Sequence, residues 1–211
     1  TAAFNTAVGS NALSANTTGT QNTAVGAYTL DVSNGNYLTA IGVNALSDNT
    51  SGGNNTAVGV QALYQNTSGA SNTAVGMSAL DTNTTGNQNV AIGKNALNAN
   101  TTASNNTAVG DRSLESTTTG TRNVAVGGVS ASDNTTGIDN TALGYNSLGT
   151  CTTGNYNVAV GSFCLDASTT ASNNTAVGFT AASALTTGDN SVAVGRYALR
   201  KCTTGSGNVA V

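Results

Sequence analysis

Apolar residues in this chain come in short bursts, and the bursts recur at a fixed distance. The stretch NTAVGVQALYQNTSGAS, Asn55 to Ser71, is followed by seventeen residues that again begin NTAVG. Counting from the Gly of each AVG-like triplet gives Gly9, Gly26, Gly42, Gly59, Gly76, Gly93, Gly110, Gly127, Gly144, Gly161, Gly178 and Gly195; every interval is 17 residues except Gly26 to Gly42, which is 16. A fixed period over a whole chain marks an array of identical units, each too small to bury a core of its own. The expected organisation is a single repeat array over residues 1–211.

Within the repeat each register has its own residue type. An aliphatic residue precedes the Gly, as at Val8, Val25, Ile41 and Val58; Ala precedes that, and Thr or Val comes one residue earlier, as at Thr56 and Val90. Alternation of this kind predicts a short β segment whose first and third side chains share a face, with small Ala and Gly lining the other. Four residues after the Gly stands Leu in ten units, from Leu13 to Leu199, with Ala131 and Ala182 in the other two. Leu and the aliphatic residue before Gly are thus the expected inward-pointing pair, Val58 and Leu63 in the quoted coil. Each pair is followed by an Asn-Thr-Thr-Gly-like break, which disfavours a helix and predicts a turn. The second Gly, ten residues after the first, stands at Gly19, Gly52, Gly69, Gly86, Gly120, Gly137, Gly154, Gly188 and Gly205, and is replaced by Asn36, Ala103 and Ala171. Because Ala tolerates a left-handed backbone poorly, a positive φ is not required there.

Burying one Val and one Leu yields about 3–6 kcal/mol, whereas ordering a residue's backbone costs roughly 1–2 kcal/mol. A lone coil therefore cannot stand. If the units are turns of a solenoid, their strands pair in parallel about 4.8 Å apart and equivalent residues form columns. The predicted fold is all-β: a parallel β-solenoid or β-roll of about twelve 17-residue coils. Asn stands four before the Gly at Asn5, Asn22, Asn55, Asn72, Asn89, Asn106, Asn123, Asn140, Asn157, Asn174 and Asn208, with Leu38 and Ser191 as exceptions. Such a column predicts an amide ladder, each side chain donating to the next and holding the turn in place. Leu38 falls in the shortened unit, where the turn must be rebuilt.

The recurring Asn-Thr/Val-Ala-Val/Ile-Gly motif, with a small-residue-and-Leu segment and a Gly turn between copies, resembles the head repeats of trimeric autotransporter adhesins and the related repeats of bacteriophage tail fibres. The resemblance covers essentially the whole chain. It implies a left-handed parallel β-roll, a side-by-side homotrimer, and a location outside the cell, on a cell surface or a virion. The adhesin heads use shorter repeats, so this chain has a longer loop, the NTTG stretch. Association is also expected on physical grounds, because a core with two sizeable apolar residues per coil is thin. The all-Ala column, from Ala7 to Ala210, faces either a neighbouring chain or the interior of the roll.

Composition narrows the function. Charged residues are 7% and aromatic residues 4% of the chain, there is no His, Pro or Trp, and the net charge is −3. Nothing basic enough to hold a nucleic-acid backbone is present, no apolar run is long enough to span a membrane, and no cofactor or metal motif is found. Asp31, Asp48, Asp81, Asp111, Glu115, Asp133, Asp139, Asp166 and Asp189 are scattered, without the pairing of a glycosidase or the Asp-rich loops of calcium β-rolls. Without His, and with no Ser beside a credible base, catalysis has no support and the chain reads as a non-enzyme. Cys151 and Cys202 share a register three coils apart, beyond disulfide reach, and Cys164 takes the place of the small Ala before Leu. The chain opens at Thr1 without Met and ends GNVAV, one residue short of the next Gly, so it reads as a segment of a longer fibre or filament subunit.

Three surface features complete the reading. Thr pairs such as Thr17-Thr18, Thr84-Thr85 and Thr152-Thr153 recur at one register and predict a turn column, with a resemblance to the surface of ice-binding solenoids as the alternative. Beside them Asn16, Asn49, Asn66, Asn83, Asn100 and Asn134 lie in Asn-x-Ser/Thr sequons, which are candidate glycosylation sites. Tyr28, Phe163 and Tyr197 share one register, and Tyr145 and Phe179 another, all just after the Gly; they are expected to lie several coils apart and to form no continuous stripe, with scattered surface or interface packing ahead of a carbohydrate platform. The leading expectation is a structural fibre segment of a surface adhesin or phage tail fibre, a spacer that can also attach to a host receptor or glycan. A self-assembling extracellular filament is the alternative, and an ice-binding solenoid follows it.

Overall fold

A computed structural model describes residues 2–211. Its strands are all short and all parallel, and no helix occurs among the described residues. Two units are present. The first ends at Asn105 and contains β1 (Thr6–Val8), β2 (Thr23–Val25), β3 (Thr39–Ile41), β4 (Thr56–Val58), β5 (Thr73–Val75) and β6 (Val90–Ile92). The second, Asn106–Val211, contains β7 (Thr107–Val109), β8 (Val124–Val126), β9 (Thr141–Leu143), β10 (Val158–Val160), β11 (Thr175–Val177), β12 (Val192–Val194) and β13 (Val209–Ala210).

In both units each strand pairs with the next in sequence, in the register that the repeat dictates: Thr56 with Thr73, Ala57 with Ala74, Val58 with Val75. This is a parallel β-solenoid of about six coils per unit. Hydrogen bonds between coils continue well beyond the strands, as in Leu63 N–H to Ala79 O at 3.0 Å, Gln65 N–H to Asp81 O at 2.9 Å and Thr67 N–H to Thr84 O at 3.0 Å. The break between apolar bursts is therefore itself stacked backbone.

The inside and outside of the strand are reversed from expectation. Ala24, Ala40, Ala57, Ala74 and Ala91 in the first unit, and Ala108 to Ala193 in the second, are buried, whereas the aliphatic residue before each Gly faces out: Ile41 and Ile92 are each 40% exposed and Val177 37%. Val58, expected in the core, is only half-buried. The alternation is correct, but the roll is too thin for Val on that face, and Ala alone lets the strand approach the opposite wall. The Ala column accordingly lines the interior. Leu is where it was expected: Leu30, Leu46, Leu63, Leu80, Leu97, Leu114, Leu148 and Leu165 are fully buried. Where Ala182 replaces Leu, the same coil buries Leu185 three residues later.

Tight corners require an unusual backbone. Each full coil places three non-Gly residues in the left-handed region, in the quoted coil Gln61 (φ 57), Leu63 (φ 52) and Ser71 (φ 59), at roughly 1–2 kcal/mol each. At the first Gly the requirement is stricter. Gly59 has φ 137, and a Cβ there would lie 2.5 Å from the Gly76 carbonyl oxygen. The second Gly has no positive φ in any coil, which explains why Ala103 and Ala171 can stand there. The shortened unit is also resolved. Gly35, not Asn36, stacks under the second-Gly column, because a Cβ on Gly19 would meet the Gly35 carbonyl. The missing residue therefore lies between Ser33 and Gly35, where the Asn-Thr-Thr-Gly tetrad is reduced to Ser33-Asn34-Gly35.

Candidate functional site

The described residues enclose no cleft or cavity of ligand size, and among them no cluster of His, Cys, Asp or Glu is arranged to hold a metal ion. No helix is long and apolar enough to cross a membrane. Candidate chemistry therefore lies in the columns.

The predicted Asn column forms a ladder inside each unit. Asn55 donates through Nδ2 to Gly69 O at 2.7 Å, and its Oδ1 accepts the backbone N–H of Asn72 at 2.8 Å; Asn72 repeats the pattern with Gly86 O (2.8 Å) and the N–H of Asn89 (2.9 Å). In the second unit Asn106, Asn123, Asn140, Asn157 and Asn174 continue it, and at Ser191 the hydroxyl oxygen accepts the Asn208 N–H at 3.2 Å. Asn22 still accepts the N–H of Leu38 at 2.9 Å, but Leu38 is a fully buried apolar side chain with no amide to offer the next coil. The outermost rungs, Asn5 and Asn208, are half-buried.

A second buried ladder was not anticipated, and it consists of the sequon asparagines. Asn49, Asn66, Asn83, Asn100 and Asn134 are buried, and Asn16 is half-buried. Asn66 Nδ2 donates to Asn49 Oδ1 at 2.7 Å, Asn83 Nδ2 to Asn66 Oδ1 at 2.8 Å, and Asn100 Nδ2 to Asn83 Oδ1 at 2.7 Å. Each also reaches the carbonyl three residues on, as in Asn66 to Gly69 at 2.9 Å and Asn100 to Ala103 at 3.2 Å, so the two ladders meet on the same carbonyl. A glycan on any of the five buried residues would displace these bonds and has no path outward from the folded coil. The sequence carried a signal of this: the column admits Cys151 and Leu185 in place of Asn, and residues of that kind mark a buried position.

The Thr pairs divide their roles. The first of each pair is half-buried along most of the chain and donates its hydroxyl to the next coil, as Thr67 does to Thr84 O at 2.9 Å and Thr135 to Thr152 O at 2.9 Å. The second, as at Thr85, Thr136 and Thr153, is exposed. All three cysteines are free thiols. Burial pushes the Cys151 thiol up to about 11 and the Cys164 thiol up to about 12, so neither is a nucleophile near neutral pH. The acids remain dispersed. Asp81 and Asp166 are raised by desolvation, each with one buried Oδ1 that has no hydrogen-bond partner, and Asp48 is raised by desolvation and by Asp31.

Two apolar features face outward. In the first unit the column before the Gly (Val25, Ile41, Val58, Val75, Ile92) is joined by Val43, Val60 and Met77 just after it, and these last three are 44–46% exposed. In the second unit the aromatic residues, expected to be scattered, form a continuous ladder: Tyr145, Phe163, Phe179 and Tyr197 meet edge to face with ring centroids 5.5, 6.3 and 5.9 Å apart. The two registers lie one residue apart and alternate on successive coils, so neither register by itself reveals the contact.

The chain matches no protein-family model, no curated protein and no solved structure.

Proposed function

We propose that this chain is a non-enzymatic structural segment of an extracellular fibre, of the kind found in surface adhesins or phage tail fibres, and that it works as a stiff spacer in a side-by-side trimer. The observation that carries this is the outward-facing aliphatic column. Val8, Val25, Ile41 and Ile92 in the first unit, and Val126, Leu143, Val177 and Val194 in the second, are each more than a third exposed, with Val58, Val75, Val109 and Val160 half-buried at the same register. An exposed apolar column of this kind within a unit marks an association surface. Stiffness follows from the way polar groups are used. The inner amides and the Thr hydroxyls bond to the coil above or below, so bending one coil against the next strains several columns at once. The left hand of the roll belongs to the same proposal and rests on the resemblance of the repeat.

Sedimentation equilibrium tests the reading. The account expects a mass three times the 20.6 kDa of one chain. A monomer at every concentration would remove the trimer, and an open-ended series of masses would point to a filament instead.

A further inference from the structure

We infer that the aromatic ladder of the second unit, with the cations at its end, is a binding strip for a linear acidic polysaccharide. The ladder runs through four successive coils, and Tyr145 (55%), Phe179 (44%) and Tyr197 (39%) remain well exposed although each touches another ring. At its last rung the Arg196 guanidinium lies 4.5 Å from the Tyr197 ring centroid and 5.9 Å from that of Phe179, while Arg200 lies 4.8 Å from Tyr197. Lys201 follows in sequence and is exposed. The two ion pairs among the described residues, Arg112 with Glu115 and Arg122 with Asp139, involve none of these three cations. In a chain of net charge −3, Arg196 and Arg200 thus lie against the rings and outside those ion pairs.

Backbone conformation supplies a second observation. Phe163 (φ 56) and Tyr197 (φ 65) occupy the left-handed site two residues after the Gly. Four other coils place Asn11, Asn44, Asn95 and Asn146 there, and the rest place Tyr28, Gln61, Ser78, Arg112, Val129 and Thr180, so the site accepts a ring as it accepts other side chains. The ladder is continuous only because these two sites carry rings.

The geometry selects the ligand class. Rings repeated once per coil, with centroids 5.5–6.3 Å apart, suit a polymer with regularly repeated apolar faces, which the C–H faces of a linear saccharide provide. Guanidinium groups add recognition of carboxylates or sulfates. Single-stranded nucleic acid would also use rings and cations, and oligo-dT is therefore one arm of the test. This inference goes beyond the proposed spacer function and rests on that reading only for its setting. Chain mass measured on the same samples separates failure of the one from failure of the other.

Isothermal titration calorimetry on the full chain, with hexagalacturonate, neutral cellohexaose and an oligo-dT of similar length as probes, tests it. Hexagalacturonate should bind and cellohexaose should bind more weakly. Phe163→Asn, which restores the residue common at that site, should weaken hexagalacturonate roughly tenfold, and the exposed pair Arg196→Gln/Arg200→Gln should abolish it with the thermal midpoint unchanged. The inference is overturned if wild type does not bind hexagalacturonate, if Phe163→Asn binds as wild type does, or if oligo-dT binds in preference.

Discussion

Replacing Asn72 by Ala removes one rung from the centre of the first ladder. Asn72 is fully buried; its Nδ2 donates to Gly86 O at 2.8 Å and its Oδ1 accepts the N–H of Asn89 at 2.9 Å. After truncation Gly86 O keeps a donor, Asn83 Nδ2 at 3.1 Å, but the buried Asn89 N–H loses its acceptor. One lost hydrogen bond contributes about 1 kcal/mol and one orphaned buried donor about 1–3 kcal/mol, so the variant should be less stable by about 2–4 kcal/mol. That corresponds to a fall of roughly 5–15 °C in thermal midpoint for a chain of this size. Asn72→Ser should lose about half as much, because Ser191 shows that a hydroxyl at this register still accepts the next coil's N–H. Urea and thermal melts followed by circular dichroism measure both. If Asn72→Ala lies within about 0.5 kcal/mol of wild type, or if Ser is as damaging as Ala, the ladder does not hold the coils together.

Two further predictions follow from buried polar groups. With a thiol reagent at pH 8, half-exposed Cys202 should react first while buried Cys151 and Cys164 remain protected, and all three should react in denaturant; equal rates in the native state would contradict the assigned registers. Asp81 has a folded pKa raised by desolvation, so the folded chain holds that proton more tightly than the unfolded chain does, and stability falls as pH rises from the ordinary carboxylate range through the raised value. Asp81→Asn should therefore be more stable than wild type at pH 7 and should lose that advantage in acid; an advantage that grows on acidification would reverse the argument.

Strict periodicity made most of the fold legible. The strand positions, their parallel register, the buried Leu and the first Asn ladder follow from a repeat in which residues 17 apart must stack. Periodicity says which positions share a face, but it does not say which face is inside. Val58 outranks Ala57 on any hydrophobicity scale, yet the interior is narrow enough that size decides, and Ala57 goes in. The second ladder at Asn66 and Asn83 was hidden because Asn beside Thr and Gly reads as exposed turn chemistry. Only the occasional Cys151 or Leu185 in that column betrays burial. The left-handed backbone at Leu63 could not have been read either, since Leu disfavours it and local cost is here outweighed by the hydrogen bonds of the stack. The aromatic ladder escaped because Phe163 and Phe179 belong to different registers and meet only when the coils are built.

The central claim is that the outward aliphatic strip is where copies of this chain meet. Sedimentation equilibrium of Val60→Lys/Met77→Lys beside wild type tests it most directly, since both residues lie just outside the corner glycines, at 45% and 46% exposure, and neither supports the fold. The account predicts that wild type sediments as three chains and the double variant as one of 20.6 kDa, with unchanged circular dichroism. A double variant that keeps the wild-type mass, or a wild type that is already a monomer, would contradict it.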